Sequence, residues 1–193
     1  INRFKGMKDV GVVLKTNLGR SSILDFKNLE HSMTKLLKDL GHDGTPKFYL
    51  LHGNMPNSTL NDLYRSDKIK ALVSLTRGEG FGLPLLEAAA CGLPIIATNW
   101  SAHKDYLKRD TFIDVKFNLE ELSPKRIDNQ IFIQGAKWAE VIDKSAIEAI
   151  DKVYKYHNIY KIRATRNQKF IQEGYCIDNI KNLYQEHFKE KLC

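Results

Sequence analysis

Long apolar runs are missing from this 193-residue chain. None approaches the roughly 18–20 residues that a membrane-spanning helix needs, so no such span is expected. Nor do the first residues read as a signal peptide, with its basic start and apolar middle. Cysteine is scarce. Cys91, Cys176 and Cys193 stand at spacings that match neither a Cys-x-x-Cys pair nor a zinc site. A disulfide scaffold is thereby excluded, and the usage fits a reducing compartment. Internal repeats and low-complexity segments are absent. So are runs of five or more like charges: 30 basic and 23 acidic residues are interspersed. The net charge of +7 and pI of about 9.2 would suit a nucleic-acid or anionic-membrane binder. Without basic blocks, or basic and aromatic residues interleaved on one face, the excess lysine reads as a solvated surface, and no nucleic-acid partner is expected. No Asp-x-Asp pair lies at a strand end, so no metal is implied.

What is present is concentrated in residues 77–98. An apolar run of strand length, Ile69 to Leu75, precedes the stretch. Glycines 78, 80 and 82 open a tight loop. Pro84 suits the first turn of a helix, where its missing N–H would be unpaired in any case. Leu85 to Cys91 are strong helix formers. Gly92 and Pro94 stop the helix, and Ile95-Ile96-Ala97 reads as a second buried strand. The pattern is strand, glycine loop, helix, strand: one βαβ unit with a parallel sheet.

A helix amino end after such a loop is an anion site, because it offers free N–H groups and a partial positive charge. Gly80 and Gly82 let backbone approach a ligand. Glu79 in the loop and Glu87 in the helix, with seven residues between them, frame the site. Glu87 lies among Leu86, Ala88, Ala89 and Ala90, where a carboxylate needs partners; a pair of ribose hydroxyls would serve. Diphosphate at the helix end, ribose on Glu87 and a polyhydroxylated group at Glu79 describe a nucleotide-sugar. The dinucleotide fingerprint fails, because Leu83 occupies its third glycine position. No acidic residue ends the strand at 95–98 to take an NAD ribose, and no Gly-Lys-Ser/Thr completes a Walker loop.

Glu79 to Glu87, followed by Glu87-Ala88, Cys91-Gly92-Leu93-Pro94 and Ala97-Thr98-Asn99-Trp100-Ser101, resembles the Glu-x7-Glu region of the family 4 (group 1) glycosyltransferases. Lys137-Trp138-Ala139-Glu140 resembles the segment before that family's late helices. The likeness covers residues 9 to 155 and is specific in 72–107. It implies an α/β chain with a Rossmann-like parallel sheet and helices on both faces, the C-terminal half of a GT-B fold. It implies a metal-independent, retaining hexosyltransferase with Glu79 on the donor sugar, Glu87 on the ribose, and backbone of Gly80, Phe81, Gly82 and Leu83 on the phosphates. The nucleotide-sugar is then a substrate, and no cofactor is expected. Asn54 and Met55, at the carboxyl end of the strand at 47–51, are candidates for the nucleobase edge, because open α/β sheets bind ligands there. The alternative is a nucleotide-binding module without turnover.

Elsewhere the spacing predicts the end of a helix over 1–8, strands at 10–14, 47–51 and 112–117, and helices ending at Gly41 and spanning 58–65. A short helix is expected at 100–106 with His103 exposed, a loop over 119–135, and helices over 140–157, 159–170 and 177–188. Residues 1–193 read as a single donor-binding domain. The family's Gly-Arg…Lys segment on the first strand of this domain has no counterpart here, and Arg77 and Lys15 are the nearest cations for phosphate. The strand at 10–14 aligns with the family's second strand. A first strand and an acceptor domain are therefore expected outside these residues, together with a cytoplasmic setting and any peripheral membrane contact made through that other portion. The acceptor is a glycan, a lipid or another molecule that the sequence does not name, and the chain alone is expected to be inactive.

Overall fold

A computed structural model of the chain describes residues 1–17, 19, 21–108 and 110–192, with side chains to residue 189. It divides into two compact units, Ile1–Thr59 and Leu60–Cys193.

In the first unit, β1 (Gly11–Thr16) and β2 (Lys47–His52) pair in parallel, from Gly11 opposite Lys47 to Thr16 opposite His52. Between them runs α1 (Ile23–Asp39), a crossover of the kind that parallel neighbours need. Its start is fixed by a capping box: the Asp25 N–H donates to Ser22 Oγ (3.1 Å) and the Ser22 N–H donates back to Asp25 Oδ2 (3.0 Å). Gly41, at φ +66°, follows its end, as its sequence position predicts. The expected helix end over 1–8 is a single 3-10 turn at Asn2–Phe4. The helix α2 (Asn57–Arg65) begins in this unit and ends in the next.

The second unit carries the glycine loop. Its sheet orders β3 (Leu72–Ser74), β4 (Ile95–Thr98) and β5 (Ile113–Val115), all parallel. The strand expected over 69–75 is shorter because Ile69 is taken into a turn, its N–H bonded to the Ser66 carbonyl (3.1 Å). Side chains of β4 alternate between two cores, as the period of two requires. Ile95 and Ala97 pack with Leu85, Ala88 and Ala89 of α3 (Leu83–Ala90), Tyr106, Phe112 and Ile171. Ile96 packs on the other side with Ile113, Val115, Ala146, Ala149 and Val153. Ile95 and Ile96 are each 1% exposed, and burying each stabilises the fold by roughly 1.5–3 kcal/mol.

The helices predicted at 140–157 and 159–170 are one element, α4 (Asp143–Gly174), bent at Tyr156 (φ −126°, ψ 36°). Through that bend α4 supplies Val153 to one core and Ile171 to the other. Helix α5 (Ile177–Leu192) follows. Of the loop expected over 119–135, residues 119–121 are strand: β6 (Phe117–Glu121) pairs antiparallel with β7 (Lys137–Val141), and 122–135 lie in the connection between them. The strand expected at 112–117 is split at Lys116, whose N–H turns away to Ser145 Oγ (3.0 Å). No helix among the described residues is long and apolar enough to cross a membrane.

Gly92 ends α3 at φ +67°, and a Cβ there would stand 2.7 Å from Gln168 Oε1. The amide of Gln168 can swing aside, so the backbone conformation sets the cost. Gly92→Ala is expected to lower stability by about 1–2 kcal/mol. Gly174→Ala, at ordinary φ and with nothing within 4 Å, should be neutral or slightly stabilising. Equal denaturation midpoints for the two variants would contradict this reading of the α3 terminus.

Candidate functional site

The loop between β3 and α3 contains three glycines in five residues and has little shape of its own. It is held at three points. At Arg77 the guanidinium makes a two-pronged pair with Glu140 of β7, Nε to Oε2 at 2.6 Å and Nη2 to Oε1 at 2.9 Å. The same guanidinium lies 4.4 Å from the Trp138 ring centroid, and the Ala139 N–H donates to the Arg77 carbonyl (3.1 Å). At Glu79 the backbone N–H donates to Ser101 Oγ (2.8 Å), whose own hydrogen goes to the Glu79 carbonyl (2.6 Å). At the helix entrance the Tyr106 hydroxyl shares its single hydrogen between the carbonyls of Gly82 (2.7 Å) and Phe81 (2.9 Å).

These contacts shape the charges as well. The Arg77 guanidinium holds the Glu140 carboxyl below its ordinary range, and Glu140 in turn raises the Arg77 pKa. Burial pushes the Tyr106 phenol far up, assisted by the negative charge of Glu79 and by Tyr175. Tyr106 is therefore a fixed donor. A cleft of about 440 Å³ opens beside the loop, lined by Leu75, Thr76, Arg77, Glu140 and Val141.

Gly82 caps α3 at φ +80°, and a Cβ there would fall 2.9 Å from Tyr106 Oη. It is the loop glycine that the fold itself demands. A Cβ at Gly78 or Gly80 would meet nothing within 4 Å. Helix α3 then begins Leu83-Pro84. Pro84 has no N–H, and those of Leu85 and Leu86 return to the Gly82 carbonyl (2.9 and 3.1 Å). Position alone leaves the Leu83 N–H at the helix mouth without an intrahelical acceptor.

The structure brings Glu79, Gly80, Phe81, Gly82 and Leu83 together at the amino end of α3. Glu79 is half-buried, and Gly82 is buried. Phe81 is 41% exposed, its ring packed near Tyr106 and Tyr175. Leu83 is 58% exposed. Glu87 corrects an expectation: its alanine neighbours face the core while its own carboxylate is exposed. The helical period separates it from Leu85, Ala88 and Ala89. Its charge still reaches Tyr64, whose phenol is pushed up to about 12 by burial first and by Glu87 next. Asn54 and Met55 belong to the first unit, just beyond β2, where Asn54 Oδ1 accepts from Asn17 Nδ2 (3.2 Å). The two cations considered for phosphate are both engaged: Arg77 with Glu140, and Lys15 Nζ with the Gly53 carbonyl (2.6 Å).

His103 is a second correction. It is 1% exposed, not on a solvated face. The short 3-10 helix Ala102–Asp105 turns it inward, edge-on to Phe112, with Nε2 2.8 Å from the Thr98 carbonyl. A carbonyl can only accept, so Nε2 carries the hydrogen. Two contributors escaped the sequence reading, Ser101 and the Arg77–Glu140 pair. Phe117 and Leu119, two residues apart, are the sequence signal for β6; Ser101 lies in the Ala97–Ser101 stretch that carries the family resemblance, but its contact with Glu79 has no local signal. Among the described residues no group of three His, Cys, Asp or Glu side chains gathers to hold a metal.

The profile of a family described as glycosyl transferases group 1 matches residues 30–133, more than half of the chain. No curated protein matches the sequence. Several solved structures are similar. HepE of Anabaena, in complex with UDP and glucose, aligns over 92% of this chain with a TM-score of 0.62 and 12% identity. Sucrose-phosphate synthase from Thermosynechococcus elongatus aligns over 92% with a TM-score of 0.61 and 13% identity. The pneumococcal O-GlcNAc transferase GtfA, in complex with UDP and GlcNAc, aligns over 94% with a TM-score of 0.54 and 16% identity. The alignments cover 40%, 38% and 36% of those chains, so this chain spans well under half the length of each. At such identities the likeness is one of fold, that of the GT-B glycosyltransferases.

The Glu140 carboxyl titrates below its ordinary value of 4.5 in the folded chain. A depressed acid contributes stability above its unfolded pKa and loses that contribution as pH falls through the folded value. The attachment of the loop to β7 is therefore expected to weaken in acid below about pH 4.5. Trp138 fluorescence, read in a Trp100→Phe background, should report a transition there. Glu140→Gln should abolish it; a transition unchanged in that variant would contradict the assignment.

Proposed function

The chain belongs to the group 1 glycosyl transferases, and we propose that it is the donor-binding part of a retaining, metal-independent family 4 enzyme that moves a sugar from a nucleoside diphosphate to an acceptor. One observation carries this reading: Glu79, fastened through its own peptide, stands directly before the buried Gly82 cap and the free amino end of α3. A carboxylate and a helix mouth then flank one small volume. The carboxylate suits a sugar's hydroxyls and the positive charge that grows at its anomeric carbon as the bond to phosphate breaks. The helix mouth suits the negative charge that grows on the departing diphosphate. Donors fixed in advance need no reorganisation during the reaction, which is where such sites gain their rate.

In this reading Glu79 orients the sugar and supports the cationic centre. Backbone of Gly80, Phe81, Gly82 and Leu83 receives the diphosphate, with open space beside Gly80 for its approach. Glu87, on the exposed face of α3, takes the ribose hydroxyls. The helix end does the work that a divalent cation would otherwise do. Two of the similar structures hold UDP with a sugar, which supports this class of donor. A second reading, nucleotide binding without turnover, is favoured by the engagement of both Arg77 and Lys15 in contacts within the protein.

The two glutamates are expected to fail differently in the intact enzyme. Glu87→Ala should weaken nucleoside diphosphate binding about tenfold, the lower end for charge-assisted bonds because the group is exposed. The matching 2′,3′-dideoxy nucleotide should lose little. Glu79→Gln should leave diphosphate affinity nearly unchanged while turnover falls on the order of 10²-fold. Equal losses for ribo and dideoxy ligands would remove Glu87 from the ribose. Full turnover in Glu79→Gln would remove the catalytic reading and leave the binding module.

A further inference from the structure

Ser101 has an unusual backbone. Its φ is +92° and its ψ −175°, a region open essentially to glycine alone. Side chains held there store strain, and the surroundings must enforce the conformation. They do so closely: the Trp100 N–H bonds the Thr98 carbonyl (2.7 Å), the Asn99 N–H bonds the Val115 carbonyl (3.0 Å), and the Lys104 N–H bonds the Ser101 carbonyl (3.2 Å). On one side the Trp100 ring packs near Phe117. On the other, buried His103 bonds Thr98. A glycine would sit at this position without strain, yet the residue is serine.

The hydroxyl gives the reason. It accepts from the Glu79 N–H at 2.8 Å and donates to the Glu79 carbonyl at 2.6 Å. One side-chain oxygen thus occupies both polar groups of a single residue, as a neighbouring strand would. Both peptide planes that flank the Glu79 Cα are held, and the direction of its Cβ follows from them. Gly78 and Gly80 on either side provide no such restraint. We infer that Ser101 is a positioning residue for Glu79: its strained backbone is retained so that its hydroxyl can aim that carboxylate at the donor sugar. The inference rests on the catalytic reading of Glu79 given above. Ser101 itself touches no reacting atom.

Two variants separate the hydroxyl from the strain. Ser101→Ala keeps the unfavourable φ and loses the hydroxyl. Ser101→Gly relieves the φ and loses the hydroxyl. In the intact enzyme, amide hydrogen exchange in residues 76–82 should accelerate at least about tenfold in both, although Ser101→Gly should melt higher than Ser101→Ala. A merely structural role would make exchange follow melting temperature instead. Turnover is measured with whichever donor the unmodified enzyme uses fastest among UDP-, GDP- and ADP-glucose and UDP-GlcNAc. Both variants should lower kcat about tenfold with KM for donor within about twofold, the pattern of a contact made mainly in the transition state. In a Glu79→Gln background, Ser101→Ala should cost almost nothing more, because the group it aims is already gone.

Unchanged exchange at Glu79 in both variants would overturn the inference, as would full additivity with Glu79→Gln. Faster exchange with a harmless Glu79→Gln would leave the clamp standing and sink the catalytic reading, and with it the positioning role. Absence of turnover by the unmodified enzyme on all four donors would do the same.

Discussion

A loop with glycine at 78, 80 and 82 cannot hold a charged side chain still by itself, since glycine loses more freedom on ordering than any other residue. The constraint on this site is therefore external fastening. Arg77 is tied to β7, the Glu79 peptide to Ser101, and Phe81 and Gly82 to Tyr106. These three partners come from separate parts of the second unit: a hairpin strand, the turn after β4, and the short helix end beyond it. Each is polar; those at Glu79, Phe81 and Gly82 use backbone of the loop, while at Arg77 the guanidinium acts together with the carbonyl. The Glu79 carboxylate is thereby left out of the fastening.

Behind the loop, rigidity comes from packing. The central strand β4 is buried on both faces, with α3 against Ile95 and Ala97 and the first part of α4 against Ile96. Thr98 ends that strand at 0% exposure and gives its carbonyl to His103. The chain then turns through Ser101 toward the loop. Movement of β4 would therefore reach Glu79 through a few covalent links and one hydroxyl. The bend in α4 at Tyr156 serves the same end, because it lets one helix close both cores around the sheet. Loop entropy is met by polar contacts, and those contacts are held in place by apolar burial.

Much of this was legible in the sequence. The order strand, glycine loop, helix, strand over 69–98 stands, because Pro84, Gly92 and the run Ile95–Thr98 carry unambiguous local chemistry. Glu79, Gly80, Phe81, Gly82 and Leu83 do meet at one helix end. The exposure of Glu87 and the burial of His103 depend on which way a helix is rotated; α3 is apolar at every position but Glu87 and a single 3-10 turn is too short to show a period, so neither fixes that rotation from sequence. The β6–β7 hairpin has a long connection, residues 122–136, and neither of its strands alternates cleanly along its length. Ser101 was invisible because its role depends on a conformation that serine rarely adopts and on a partner 22 residues away. Long-range polar contacts of this kind leave no period behind.

The central claim is that the backbone of 80–83, at the mouth of α3, receives a diphosphate. The most direct measurement is an amide NMR titration of the protein with selectively labelled glycine, phenylalanine and leucine, using UDP, GDP and ADP and then the corresponding nucleosides. The account predicts that the Gly80, Phe81, Gly82 and Leu83 amides shift together with at least one diphosphate and stay in place with its nucleoside. Equal shifts with the nucleoside, or no shift at these four amides while others respond to the diphosphate, would contradict it.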